Sequence, residues 1–184
     1  HLRGKSAPGK LGFNRTSWDM NEDGPQKWKA TFKQNQGPDE GADVAPGIYT
    51  VRLRAGGLTQ TAKFAVKTDP RVKADPQAES ARYHFLSELF TEVNGVDTMR
   101  NRLDARLRTA SVAPRAAMLE VRSRLTADPD NDEDLGFAPQ LRERLLDLIS
   151  RVSNSYQAPT PVMQSVANEL RSTYESVSAS YRRI

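Results

Sequence analysis

The sequence predicts an α+β chain in two parts. A partial antiparallel β-sandwich of the immunoglobulin or fibronectin kind is followed by an all-α antiparallel helical bundle of three columns, the middle one broken. Three observations carry this expectation. Up to about residue 68 the apolar residues alternate with period two, as they do on half-buried strands. Beyond residue 76 they recur every three or four positions, as on one face of a helix. Between these regions lies Lys67–Pro76, KTDPRVKADP, where Pro70 and Pro76 hold their preceding residues extended, so a strand must end and a helix must wait. The division that follows is a loose lead-in at 1–10, a sandwich at 11–68, a proline-rich junction at 69–76 and a bundle at 77–184.

The lead-in HLRGKSAPGK is rich in Gly, Pro and cations and has no periodicity. Phe13–Met20 reads as a first strand with Trp18 as its core anchor. In Lys27–Lys33, KWKATFK, Trp28, Ala30 and Phe32 alternate with lysines and Thr31, which reads as a second strand with a cationic face suited to a sheet edge. After a Gly-, Pro- and Asp-containing loop, Ile48–Ala55 and Leu58–Lys67 flank Gly56-Gly57, a pair that accepts the positive φ of a tight hairpin turn. Tyr49, Val51 and Leu53 share a face with Ala62, Phe64 and Val66. Four strands are fewer than the roughly seven of a complete sandwich, so the remainder is expected upstream.

The helical part opens with Leu86, Leu89, Val93, Val96, Arg100, Leu103 and Leu107, a seam of steps three and four interrupted at Gly95. Ser111 and Pro114 mark the start of a second helix carrying Met118, Val121 and Leu125, which stops at Ala127-Asp128-Pro129. Pro139 introduces a third, with Leu141, Leu145, Leu148 and Val152. Pro159-Thr160-Pro161 introduces a fourth, with Met163, Val166, Leu170, Val177 and Tyr181. At ~1.5 Å per residue the first helix is about 45–50 Å long, and the second and third are each about half of it. Set end to end they match the first, hence three columns with the middle one broken.

The composition excludes several functions. The 184 residues carry 27 Lys and Arg against 23 Asp and Glu, with 13 basic and 8 acidic residues through Asp75 and 14 against 15 after it. The helical arginines are interleaved with acids, which is not the one-sided basic footprint of a nucleic-acid binder. Without cysteine there are no disulfides or thiolate metal sites. No run approaches the ~20 apolar residues of a membrane span. The chain does not begin with Met, and an upstream segment is expected.

Chemistry-bearing patterns are sparse. Asp128–Gly136 has the carboxylate density of a calcium loop, but an EF-hand started at Asp130 puts Leu135 and Leu141 where glycine and a bidentate Glu belong, and one started at Asp128 puts Glu133 and Pro139 there. It reads as a solvated interhelix loop. His84 has no Cys or His companion for a metal, the serines have no histidine partner or nucleophile elbow, and Glu88 and Glu92 lie one helical turn apart as surface charge. No cofactor is implied. Trp28, beside lysines on a candidate edge strand, is the aromatic left open for stacking on a glycan.

Three stretches together carry a family resemblance: Gly12-Phe13-Asn14-Arg15-Thr16-Ser17-Trp18-Asp19, Ala45–Leu53 with its Pro46-Gly47-Ile48-Tyr49 turn, and Asp69-Pro70-Arg71. In this order they resemble the C-terminal region of bacterial sortilin-like, Asp-box (BNR) repeat β-propeller proteins often labelled glycosyl hydrolases. The Pro159-Thr160-Pro161 motif is similar as well. The resemblance implies a sandwich and helical tail behind a propeller, a secreted, periplasmic or cell-envelope setting, and the missing propeller domain as partner. Asn14, Arg15, Trp18, Asp19, Tyr49, Asp69, Pro70 and Arg71 are then the motif or interface residues, with Arg71 bridging sandwich and bundle. No Asp-box occurs in this chain, so no catalytic residue carries over. The expectation is a non-catalytic accessory or assembly module of a larger protein, whose own activity as a glycoside hydrolase stays open. The alternatives are a substrate-binding part of such a hydrolase and a helical module that recruits a protein or a second copy of itself.

Overall fold

The computed structural model describes residues 9–72, 75–127 and 138–184. Its strands and α-helices in chain order are β1 (Asn21–Asp23), β2 (Glu40–Asp43), β3 (Gly47–Ala55), β4 (Leu58–Val66), α1 (Pro76–Leu107), α2 (Val112–Leu125), α3 (Leu141–Ser153) and α4 (Pro161–Tyr181), with a short 3-10 turn at Lys33–Asn35. The strands form two separate antiparallel pairs, β1 with β2 and β3 with β4. That overturns the sandwich: no second sheet faces the first among the described residues, and the class is only loosely α+β.

The two N-terminal strands expected in the sequence do not form, and the local chemistry shows why. Asn14 folds back on its own neighbours, its Nδ2 donating to the carbonyls of Lys10 and Gly12 at 2.8 and 3.0 Å while its Oδ1 accepts from Lys10 N at 3.1 Å. Gly12 sits at φ +94°. This side-chain turn competes with a strand for the same backbone groups. Lys27–Lys33 is likewise not a strand, because α1 takes its hydrogen bonds. Asn101 brackets Trp28, its Nδ2 donating to Lys27 O at 2.8 Å and its Oδ1 accepting from Lys29 N at 2.9 Å, while Asn94 Oδ1 accepts from Gln26 N at 2.9 Å. Helix side chains thus stand in for a neighbouring strand.

The hairpin forms where its turn residues require it. Gly56 and Gly57 have φ +53° and +79°, the left-handed values of a two-residue primed turn, and β3 pairs with β4 from Ala55↔Leu58 to Gly47↔Val66 without a bulge. Its base is held by three rings, Trp18, Tyr49 and Phe64, whose centroids lie 5.7–6.1 Å apart. Tyr49 Oη donates to Ala45 O at 2.6 Å, tying the strand to the loop before it.

In the helical part Asp75 caps α1, accepting from Gln77 N at 3.0 Å, so the helix begins at Pro76, the position where its missing N–H costs nothing. Thr160 Oγ1 caps α4 in the same manner. α4 runs alongside α1 in the same direction, with Arg171 against Glu88 and Glu92 and Ser178 against Met99. α2 and α3 run the opposite way, one after the other. Arg124 of α2 meets Ser176 and Ser180 of α4, and Arg144 of α3 meets Glu169 farther up that helix. Glu143 Oε2 accepts from both Ala127 N and Gln140 N at 3.0 Å, stapling the end of one short helix to the start of the next. The leucine and valine seams of all four helices meet in one buried cluster, which Ala42 of β2 joins.

Candidate functional site

Two groups of residues stand out from ordinary packing. The first is a stripe along α1, Asn94, Asp97, Asn101 and Asp104, spaced three, four and three and therefore on one helical face. It receives the segment Gln26–Lys29. At its centre Trp28 is fully buried, its Nε1 donating to Asp104 Oδ2 at 3.0 Å, with the Arg100 guanidinium 4.1 Å and the Arg142 guanidinium 5.7 Å from its ring centroid. Arg100 donates to both oxygens of Asp104 at 3.1 Å and to the hydroxyl of Thr126. Arg142 of α3 forks onto Asp97, Nε to Oδ1 at 2.5 Å and Nη2 to Oδ2 at 3.2 Å.

The Asp97–Arg142 pair is out of solvent, with side chains 0% and 4% exposed. Burial pushes the Asp97 carboxyl above its ordinary value, against the opposing pull of Arg142. A carboxyl so placed has the look of a general acid. It has no approach for a substrate, because Arg142 occupies both of its oxygens and Gly37 closes over Arg142 so tightly that an added Cβ would lie 2.8 Å from Nη2. The stripe is a clamp that fastens the N-terminal segment to the bundle.

A second anchor lies at the other end of α1. Tyr83 Oη donates to Glu22 Oε1 at 2.6 Å, Ser87 Oγ to Glu22 Oε2 at 3.2 Å, and Arg82 Nη2 to Asp43 at 3.4 Å. The hydrogen bond to Glu22 holds the Tyr83 phenol above its ordinary value. A surface cleft of about 400 Å³ beside Arg100, Arg122, Ser123 and Gln140 borders residues outside the described set. Arg100 and Arg122 both pair with Asp104. No group of three or more His, Asp or Glu able to hold a metal exists among the described residues, and the acidic loop 128–136 lies outside them.

The second group is the β3–β4 hairpin. Its two faces differ in chemistry. Tyr49, Val51, Leu53, Leu58, Ala62 and Phe64 lie on one face, which Trp18 covers only at the base, leaving Val51, Leu53 and Leu58 at 53, 55 and 74% exposure. Thr50, Arg52, Arg54, Thr59, Thr61 and Lys63 lie on the other. From Val44 to Thr68 there is no acidic residue, only Arg52, Arg54, Lys63 and Lys67.

The residues singled out in the sequence are dispersed across these features. Asn14 closes the turn described above, Arg15 and Asp19 are exposed, and Trp18 and Tyr49 sit in the aromatic base of the hairpin. Arg71 makes an ion pair within the junction itself. It is 87% exposed and folds onto Asp69, Nη2 to Oδ2 at 2.6 Å, while its N–H closes a turn on Asp69 Oδ1 at 2.9 Å just past Pro70. Trp28 offers no face to a glycan, since its ring is enclosed. The α1 stripe escaped the sequence reading, although its polar spacing of three, four and three was the signal for it. Comparison with protein-family profiles, with curated proteins and with solved structures finds no match to this chain.

Proposed function

We propose that the chain is a non-catalytic accessory module of a larger secreted or envelope β-propeller protein of the sortilin-like, Asp-box kind, and that it serves assembly rather than turnover. The observation that carries the non-catalytic part is the fate of the buried charges. Asp97, Asp104 and Arg142 are consumed in fastening one segment of the chain to another, and Arg100, which also borders the surface cleft, is held by Asp104 and Thr126. The setting rests on the three resembling stretches. The bundle is then a rigid base, and the hairpin is the element presented to the rest of the parent.

The source protein's intact mass is expected to exceed that of the 184-residue chain, with propeller repeats upstream. Chromogenic glycosides of several linkages, incubated with the purified chain, should show no release above buffer. Turnover by the chain alone that survives repurification would sink the reading. An intact mass equal to that of this chain would remove the propeller parent.

A further inference from the structure

The β3–β4 hairpin has a chemistry of its own that bears on what docks there. Its two-residue turn makes Ala55↔Leu58 the hydrogen-bonded pair, and the ladder alternates from there. The backbone N–H and C=O groups of Leu53, Val51 and Tyr49 therefore point at β4, while those of Arg54, Arg52, Thr50 and Ile48 point away from it. No other strand pairs with that outer edge among the described residues. Such a row of unpaired groups is a template for one more strand. Side chains of a hydrogen-bonded cross-strand pair share a face, so an incoming residue bonded to Arg52 or Arg54 lies on the cationic face and its neighbours lie on the apolar one.

We infer that the β3 edge takes up an extended protein segment in which apolar and acidic residues alternate. Acids every second residue meet Arg52 and Arg54, neither of which pairs with a carboxylate among the described residues, and the intervening apolar side chains extend the uncovered surface of Val51 and Leu53. The absence of any acid from Val44 to Thr68 sets the charge of the partner. The edge of β4 carries Thr59, Thr61 and Lys63 on its outward positions, a weaker match. This inference rests on the reading of the chain as an assembly module.

The test uses the full chain and a fluorescein-labelled peptide of alternating valine and glutamate, read by fluorescence anisotropy. A permuted peptide of the same composition with its acids at helical spacing is the control, and phosphatidylserine vesicles form a third arm. The alternating peptide is expected to bind saturably. Thr50→Pro removes an outward N–H without touching the β3–β4 ladder, a site where an edge strand tolerates proline. Losing that hydrogen bond and its neighbour's geometry should weaken the alternating peptide about tenfold. Arg52→Glu with Arg54→Glu, which leaves the backbone intact, should weaken it at least as much. Equal binding of the two peptides, indifference to Thr50→Pro, binding of vesicles but neither peptide, or no binding at all would each overturn the inference. If the chain shows no glycosidase activity and still associates with the separately expressed remainder of its parent, the assembly reading survives such a failure.

Discussion

Removing either partner of the Asp97–Arg142 pair leaves the other buried without a counter-charge. For side chains at 0 and 4% exposure the cost of Asp97→Ala should be about 3–5 kcal/mol, since an uncompensated charge must be desolvated or must drag water into the clamp. At about 2–4 °C per kcal/mol for a chain of this size, the melting midpoint should fall by roughly 6–20 °C. Arg142→Leu should cost less at acid pH than at neutral pH. The Asp97 carboxyl is already raised by burial, and without Arg142 it neutralises still more readily as pH falls. Combining the two, Asp97→Ala with Arg142→Leu, removes both charges together, so neither partner is left buried alone, and should cost clearly less than the sum of the single substitutions. Guanidinium unfolding followed by far-ultraviolet circular dichroism measures all four corners of the cycle. Single substitutions costing under about 1 kcal/mol, or a double substitution costing the sum of the singles, would refute the buried clamp.

Three further outcomes follow from single positions. Gly57→Val should destabilise the hairpin by about 1–3 kcal/mol, because Gly57 sits at φ +79° where a β-branched residue is strained; unchanged anisotropy and quenching of Trp18 would argue otherwise. Gly95→Ala sets a Cβ against the Tyr174 hydroxyl and ring, so Tyr174 must swing aside or α1 and α4 must part, at a cost of about 1–3 kcal/mol, and Tyr174→Phe should recover part of the lost melting midpoint. Burial lifts the Glu92 carboxyl above its ordinary value despite Arg171, so its contribution is fully present below the unfolded-chain value and is lost as pH rises through the raised one. The unfolding free energy of the parent minus that of Glu92→Gln should fall across that window, and a flat difference would contradict the assignment.

What the sequence determined by itself was local. The hairpin was legible because Gly56-Gly57 demands positive φ and the flanking residues alternate. The helices were legible because their leucines and valines repeat at helical spacing and because Pro159-Thr160-Pro161 is a starting signal that acts within a few residues, whereas the first helix, expected only beyond Pro76, starts at Pro76 under an Asp75 cap. The tertiary structure decided where ambiguous polar and aromatic residues went. The alternation in Lys27–Lys33 predicts a strand, but the backbone of Gln26–Lys29 finds its partners on Asn94 and Asn101, some seventy residues away, and Trp28 finds the arginines of two different helices. Arg71 pairs with Asp69 two residues back, since an exposed arginine readily takes the nearest carboxylate. Periodicity reports which face of an element is apolar. It says nothing of which distant side chain will satisfy a given backbone N–H, because that choice is made by the whole fold at once.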